Sequence, residues 1–251
     1  MKNFTKNIVK IKHSAREIYA VSYLPINQEK YPIVIFSHGF NGTHADFIKN
    51  SEYLASNGVG AVCFDFCGGS IHSKSDCKTS EMTIFTEVED LSAVVDEVYS
   101  WKKVNQEQVY LFGGSQGGFV SALVAEKFKE KVRGLLLLFP AFCIPDDWNA
   151  RFPTIDSIPD TFELWGVTLG RKFFESIHGY QTFEQIGEFT NDVLIFHGDQ
   201  DDIVGLEYGE RAAHSYAKAR IEVFPDEGHG FSDKGNKKVT EMTLDFVKSH
   251  L

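Results

Sequence analysis

Val109-Tyr110-Leu111-Phe112-Gly113-Gly114-Ser115-Gln116-Gly117-Gly118 decides the fold. Four strand-forming residues run directly into a glycine-flanked serine, and a helical run continues from Ser115 to Phe128. A nucleophile at such a strand-to-helix turn sits in a cramped backbone conformation. Glycines two before and two after it relieve the crowding, so the hydroxyl projects outward. The turn also sets Ser115 at a helix N-terminus, where free N–H groups favour developing negative charge. The plain alternative is a helix N-cap serine beside flexible glycines. The strand before and the helix after favour the nucleophile.

Outward from this turn, short β-rich runs alternate with amphipathic helical runs. That is the pattern of an α/β protein with a parallel sheet covered on both faces. Ile8 to Lys12 and Glu17 to Tyr23 read as an opening antiparallel hairpin. Ile33 to Phe36, Gly60 to Phe66, Val109 to Phe112, Gly134 to Phe139, Val193 to Phe196 and Ile221 to Phe224 read as the remaining strands. Their continuous apolar character suits burial on both faces. Phe85 to Trp101 carries Val88, Leu91, Val94, Val95 and Val98 at near-helical spacing. Leu206 to Lys218 and Lys238 to Ser249 are the last expected helices. Residues 141–189 break the rhythm, being too long for a simple crossover. They hold Trp148, Phe152, Phe162, Trp165, Phe173, Phe174 and Tyr180. An inserted lid or cap with its own small aromatic core is expected, with one or two rings facing a substrate.

A serine hydroxyl needs a base, and the base needs a carboxylate, in the chain order Ser, acid, His. His229 lies between Gly228 and Gly230, after the last strand-like run, on a loop free to reach over the sheet edge. A surface-loop histidine is the plain alternative. The acid belongs to His197-Gly198-Asp199-Gln200-Asp201-Asp202-Ile203-Val204, where three aspartates compete. Asp201 is the choice, being mid-loop with Ile203-Val204 anchoring the next segment. The cluster lacks the further ligands and closing Glu of a calcium loop, so no metal is expected. An oxyanion hole needs two backbone donors. The N–H of Gln116 is one. The N–H of Phe40, in Ser37-His38-Gly39-Phe40-Asn41-Gly42, is the other, because Gly39 permits close backbone approach.

Composition bounds the rest. The 251 residues read as one domain, 1–251, with 43% apolar and 24% charged residues. The net charge of −10, with no basic cluster, argues against nucleic-acid partners. The longest apolar stretch, Leu135 to Ile144, contains Pro140 and is too short to span a bilayer. Met1 to Lys12 lacks the continuous apolar core of a signal peptide, so a cytoplasmic location is expected. Cys63, Cys67, Cys77 and Cys143 form no Cys-x-x-Cys pair and read as reduced, structural thiols.

His38-Gly39-Phe40, the Gly113 to Gly117 turn, the Asp201 loop and Gly228-His229-Gly230 stand in the order and spacing of α/β-hydrolases, and nearly the whole chain resembles that family. The resemblance implies a mostly parallel eight-stranded sheet with helices on both faces. Asp65-Phe66-Cys67-Gly68-Gly69-Ser70, followed by Thr86-Glu87-Val88-Glu89-Asp90-Leu91, is similar to bacterial feruloyl and cinnamoyl esterases. Those enzymes also carry an aromatic-containing insertion where residues 141–189 fall. Similar segments occur in acylaminoacyl-peptidase-like hydrolases, and Ser115-Gln116-Gly117-Gly118 after a glycine also looks like acyl-protein thioesterases. The resemblance implies a serine carboxylesterase acting through an acyl-enzyme on a small-molecule ester, with no cofactor. Ser115, Asp201 and His229 would carry it, and Asp147, Trp148 and Trp165 would contact substrate from the lid. A peptidase or thioesterase with the same triad is the alternative. A non-catalytic binding module is the contrasting class, and the presence of all three triad residue types speaks against it.

Overall fold

The computed structural model describes residues 3–251. In chain order, β1 (Phe4–His13) and β2 (Arg16–Pro25) form a hairpin, and β3 (Tyr31–Ser37) leads to α1 (Ile48–Ser56) and β4 (Gly60–Phe64). Then come α2 (Ile84–Tyr99), β5 (Val104–Gly114), α3 (Gln116–Lys127) and β6 (Gly134–Leu138). Residues 141–189 hold α4 (Ile144–Arg151), a small hairpin of β7 (Thr161–Leu164) and β8 (Val167–Gly170), and α5 (Arg171–Ser176). The chain closes with β9 (Asp192–Gly198), α6 (Leu206–Ser215), β10 (Ala219–Phe224) and α7 (Asp233–Lys248).

Eight strands form one sheet in the order β1-β2-β4-β3-β5-β6-β9-β10. Strand β2 runs antiparallel to both neighbours, and the other pairs are parallel. The alternation of side chains along each strand divides the apolar runs between two cores. Ile33, Ile35, Val109, Leu111, Leu135, Leu137, Val193 and Ile195 face α2, α3 and α6. Val34, Phe36, Tyr110, Phe112, Leu136, Leu138, Leu194 and Phe196 face α1 and α7. Each fully buried side chain of this size contributes roughly 1.5–3 kcal/mol of hydrophobic stabilisation. The two faces therefore demand uninterrupted apolar strands, and the sequence supplies them.

The strand order places the functional loops. From β3 the chain leaves over one face, through α1, to β4. From β5 it leaves over the other face, through α3, to β6. The loops after β3 and β5 thus part in opposite directions, which opens a crevice at the C-terminal ends of adjacent strands. Residues 141–189 pack beside this crevice. Trp148 meets Phe174 at 4.8 Å and Phe162 at 5.4 Å, and Phe152 meets Phe174 at 5.2 Å. Helices α4 and α5 are eight and six residues long, too short to persist alone in water. Their aromatic cluster holds them, with Phe173 and Phe174 buried in the same core as α2 and α3.

Candidate active site

Ser115 joins β5 to α3 with φ 52° and ψ −121°, a conformation an L-residue adopts only under strain. Such strain costs on the order of 1–3 kcal/mol and persists only where neighbours enforce it. Here Ser115 N donates to Leu138 O at 2.9 Å, and Ser115 O accepts from the N–H groups of Gly118 and Ala141 at 2.9 and 3.0 Å. The Ser115 side chain makes no helix-cap hydrogen bond, which separates it from the plain N-cap alternative. Gly113 and Gly117 flank it for steric reasons. A Cβ on Gly117 would fall onto Ser37 O and His38 O, and one on Gly113 onto Gly117 O. Backbone carbonyls at the end of packed strand β3 and in the first turn of α3 cannot move aside. Gly117→Ala is therefore expected to destabilise the protein by about 1–3 kcal/mol or more, read as a lowered midpoint in denaturant unfolding.

The structure brings three of the sequence-predicted residues into line. His229 Nε2 lies 3.0 Å from Ser115 Oγ, and His229 Nδ1 lies 2.9 Å from Asp201 Oδ2. Phe139 packs against the imidazole with ring centres 4.4 Å apart. Asp201 is wholly buried at its side chain. Its Oδ1 accepts from the N–H groups of Ile203 and Val204 at 3.0 and 2.9 Å. Burial pushes its pKa up, but the hydrogen bonds from His229 and those two N–H groups outweigh this and hold the carboxyl below its ordinary range. A carboxylate so placed would fix the imidazole with its proton on Nδ1 and leave Nε2 free to accept the serine proton.

The two other aspartates do different things. Asp199 Oδ1 accepts from Asp226 N at 2.8 Å and so laces the β9 loop to the β10 loop. Asp202 is exposed at the edge of the cavity beside Ser115.

The N–H groups of Phe40 and Gln116 donate to no acceptor within the described residues. Gly39 packs against Ser115, since a Cβ on Gly39 would stand 3.1 Å from Ser115 Cβ. His38 sets the loop. It is buried, its Nδ1 donates to Gly39 O at 2.8 Å, and its Nε2 accepts from Phe66 N at 3.1 Å. Burial lowers its pKa, so the ring is neutral, and the two contacts select this tautomer. In a planar trans peptide the N–H points opposite to the C=O. Anchoring Gly39 O therefore turns the Phe40 N–H the other way.

Two hollows meet at Ser115. One, of about 390 Å³, is lined by Gln116, Asp147, Trp148, Leu169 and Phe173, among others from residues 141–189. The other, of about 350 Å³, is lined by Phe47, Phe139, His229, Gly230 and Phe231. Phe40, Trp165 and Ile203 border both. Trp165 has φ 48°, is 67% exposed and meets Phe40 edge-on at 6.0 Å. Trp148 is divided between the aromatic cluster and the cavity wall. Cys143 also lines the larger hollow, but burial and the nearby Asp147 push its thiol well above the ordinary range, so it stays protonated. Among the described residues no group of three His, Cys, Asp or Glu side chains could hold a metal ion, and no helix is long and apolar enough to cross a membrane.

Three contributors escape a reading by motif. They are the orienting ring of His38, the N–H groups of Ile203 and Val204, and His197, whose buried ring donates to Val204 O at 2.9 Å beside Asp201. Only the His-Gly-Phe triplet offered a signal, because Ile203 and Val204 act through backbone N–H groups, and the His197 ring acts on a backbone carbonyl, which no residue pattern marks.

The model of the alpha/beta hydrolase fold family matches residues 32–162. Over 94% of this chain and 98% of its own, the ferulic-acid-bound Est1E of Butyrivibrio proteoclasticus is similar, with 26% identity and a TM-score of 0.84. Mouse monoacylglycerol lipase ABHD6 (Mus musculus) is 22% identical over 87% of this chain and 76% of its own length. The human acylamino-acid-releasing enzyme (Homo sapiens) is 22% identical over 83% of this chain, which spans only 30% of that protein's length.

Proposed function

The chain belongs to the alpha/beta hydrolase fold family, and from that premise we propose that it is a serine carboxylic-ester hydrolase working through an acyl-enzyme, with feruloyl- or cinnamoyl-type esters as substrates. The observation that carries the proposal is the unbroken line from Ser115 Oγ through His229 to the buried Asp201, on a turn strained to present the hydroxyl. In the proposed reaction Ser115 Oγ attacks the ester carbonyl as His229 takes its proton. The N–H groups of Phe40 and Gln116 receive the oxyanion. His229 then gives its proton to the leaving alcohol, and water, activated by the same imidazole, releases the acid.

This chemistry assigns the two hollows. The leaving oxygen must come within reach of His229, which borders only the smaller hollow. The alcohol therefore lies there, and the acyl group lies against Trp148, Leu169 and Phe173. Flat, mostly apolar walls with a few polar groups suit a planar aromatic acyl group. The similarity to ferulic-acid-bound Est1E supports that choice. Amide or thioester substrates are the second reading, favoured by the similarity to the acylamino-acid-releasing enzyme.

Two measurements test the proposal. A fluorophosphonate probe is expected to label Ser115, and absence of labelling would sink the serine-hydrolase reading. Parallel turnover of methyl ferulate, an aminoacyl anilide and an acyl thioester is expected to favour the first. Anilide or thioester turnover far above it would transfer the proposal to the second reading.

We also propose that residues 141–189 act as a lid that sets acyl preference. Asp147, Trp148 and Trp165 are to be replaced singly by Ala and assayed on methyl ferulate and a short acetate ester. At least one variant is expected to lower the ferulate kcat/KM about 10-fold or more while changing the acetate value little, as lost apolar contact of roughly 1–3 kcal/mol would do. Folded variants that change both esters alike would remove these residues from the specificity argument.

A further inference from the structure

Glu87 is a buried acid that the proposed Ser115 chemistry does not use. It stands in the first turn of α2, 1% exposed. Its Oε2 accepts from Gln116 Nε2 at 2.9 Å, and Gln116 is itself 3% exposed. Its Oε1 faces Gly69, where a Cβ would stand 3.1 Å from that oxygen and 3.2 Å from His38 Cε1. Gly69 O in turn accepts from Asn41 N at 3.1 Å. One carboxyl thus connects to the segments that carry both proposed oxyanion donors. It holds Gln116 by its side chain, and it packs under the glycine that fixes the turn after Phe40.

We propose that Glu87 is a positioning residue for the oxyanion-binding N–H groups, its buried carboxyl anchoring the Gln116 side chain. The proposal rests on the serine-hydrolase reading above. A neutral acceptor satisfies the Gln116 amide without setting a full negative charge behind the place where the substrate oxygen becomes negative. An ionised Glu87 would oppose that charge across a buried, low-dielectric path.

The surroundings keep the carboxyl neutral. Burial, with the like charge of Asp90 on the same helix, pushes its pKa up to about 8, against the pull of the Gln116 hydrogen bond. The groups facing it from other elements are uncharged: the Gln116 amide from α3, Met82, whose sulfur also accepts from Gln116, and the neutral His38 ring from the loop after β3. Arg16 of β2 is engaged by Glu89 at 2.8 Å and by Asp90 at 3.4 Å.

The test compares Glu87→Gln and Glu87→Leu with the parent protein on one ester, with kcat and KM measured across pH. Glu87→Leu removes the acceptor and is expected to lower kcat about 10- to 100-fold with KM nearly unchanged, less than loss of a donor itself. Glu87→Gln keeps a neutral acceptor, so it is expected to restore kcat at neutral pH. It should also remove the fall in kcat that the parent shows as pH rises through about 8. Stability gives a separate readout. The folded carboxyl keeps its proton where the unfolded chain has lost it, so parent stability falls as pH rises from the ordinary glutamate range toward about 8. Glu87→Gln is therefore expected to gain Tm over that interval. If Glu87→Leu fails to fold, the pH profile of Glu87→Gln decides. An alkaline limb identical to the parent's, or a folded Glu87→Leu with parent kcat, overturns the inference. Ester turnover that survives Ser115→Ala would instead overturn the reading beneath it.

Discussion

Replacing Ser115 with Ala is expected to leave a folded protein whose ester turnover has fallen by about 10⁴- to 10⁶-fold. The size follows from what remains. The oxyanion donors and the two hollows would still bind and polarise the ester, which preserves a residual rate above water, but no acyl-enzyme could form. Folding should survive, because the Ser115 hydroxyl makes no cap hydrogen bond and, among the described residues, hydrogen-bonds only with His229. Alanine meets the same backbone strain at φ 52° as serine does, so the turn itself is unchanged in cost. The measurement is a steady-state assay beside a thermal unfolding curve, with fluorophosphonate labelling of both proteins. Near-parental turnover or persistent labelling in a folded variant would show that another group is the nucleophile.

Asp201→Asn is expected to cost about 10⁴-fold in kcat, the loss seen when a triad carboxylate becomes an amide. Asp201 accepts three hydrogen bonds and donates none, from His229, Ile203 and Val204. An amide must turn its NH₂ toward one of these donors. If it faces His229, the imidazole flips tautomer and Nε2 carries the proton that should come from serine. If it faces the loop, two buried N–H groups lose an acceptor. Asp199→Asn keeps an oxygen for the Asp226 N–H, and Asp202→Asn alters only an exposed edge, so each is expected to change kcat by no more than a few-fold. A pattern in which Asp199→Asn or Asp202→Asn is the crippled variant would move the acid while leaving Ser115 and His229 in place.

Some elements were invisible to periodicity. Helix α1, Ile48–Ser56, carries few apolar residues and is held by Leu54 and Ala55 against the sheet. Strand β5 starts at Val104, ahead of the apolar run, because Asn105 to Gln108 are polar and more exposed than the strand's centre. The helix after the serine turn begins at Gln116 rather than Ser115, since the positive φ of Ser115 cannot belong to a helix. In residues 141–189 the aromatic content was plain, but α4, the β7–β8 hairpin and α5 were not, because elements this short take their form from packing.

The sequence by itself determined the α/β architecture, since apolar runs at strand length between amphipathic runs admit few other ways to bury both. It also determined where Ser115 must project, because a glycine pattern records a steric conflict between atoms close in the chain. Tertiary structure alone decided what depends on atoms far apart in the chain. The hydrogen bond from Asp226 to Asp199 ties two loops together, so that the next carboxylate, that of Asp201, faces His229. The divergence of the loops after β3 and β5 sets Phe40 beside Ser115 and leaves a hollow on either side. Burial under the serine turn brings Glu87 onto Gln116 across 29 residues of sequence. Spacing cannot report such contacts, because they are fixed by how distant strands and loops pack and by which polar groups lose water together.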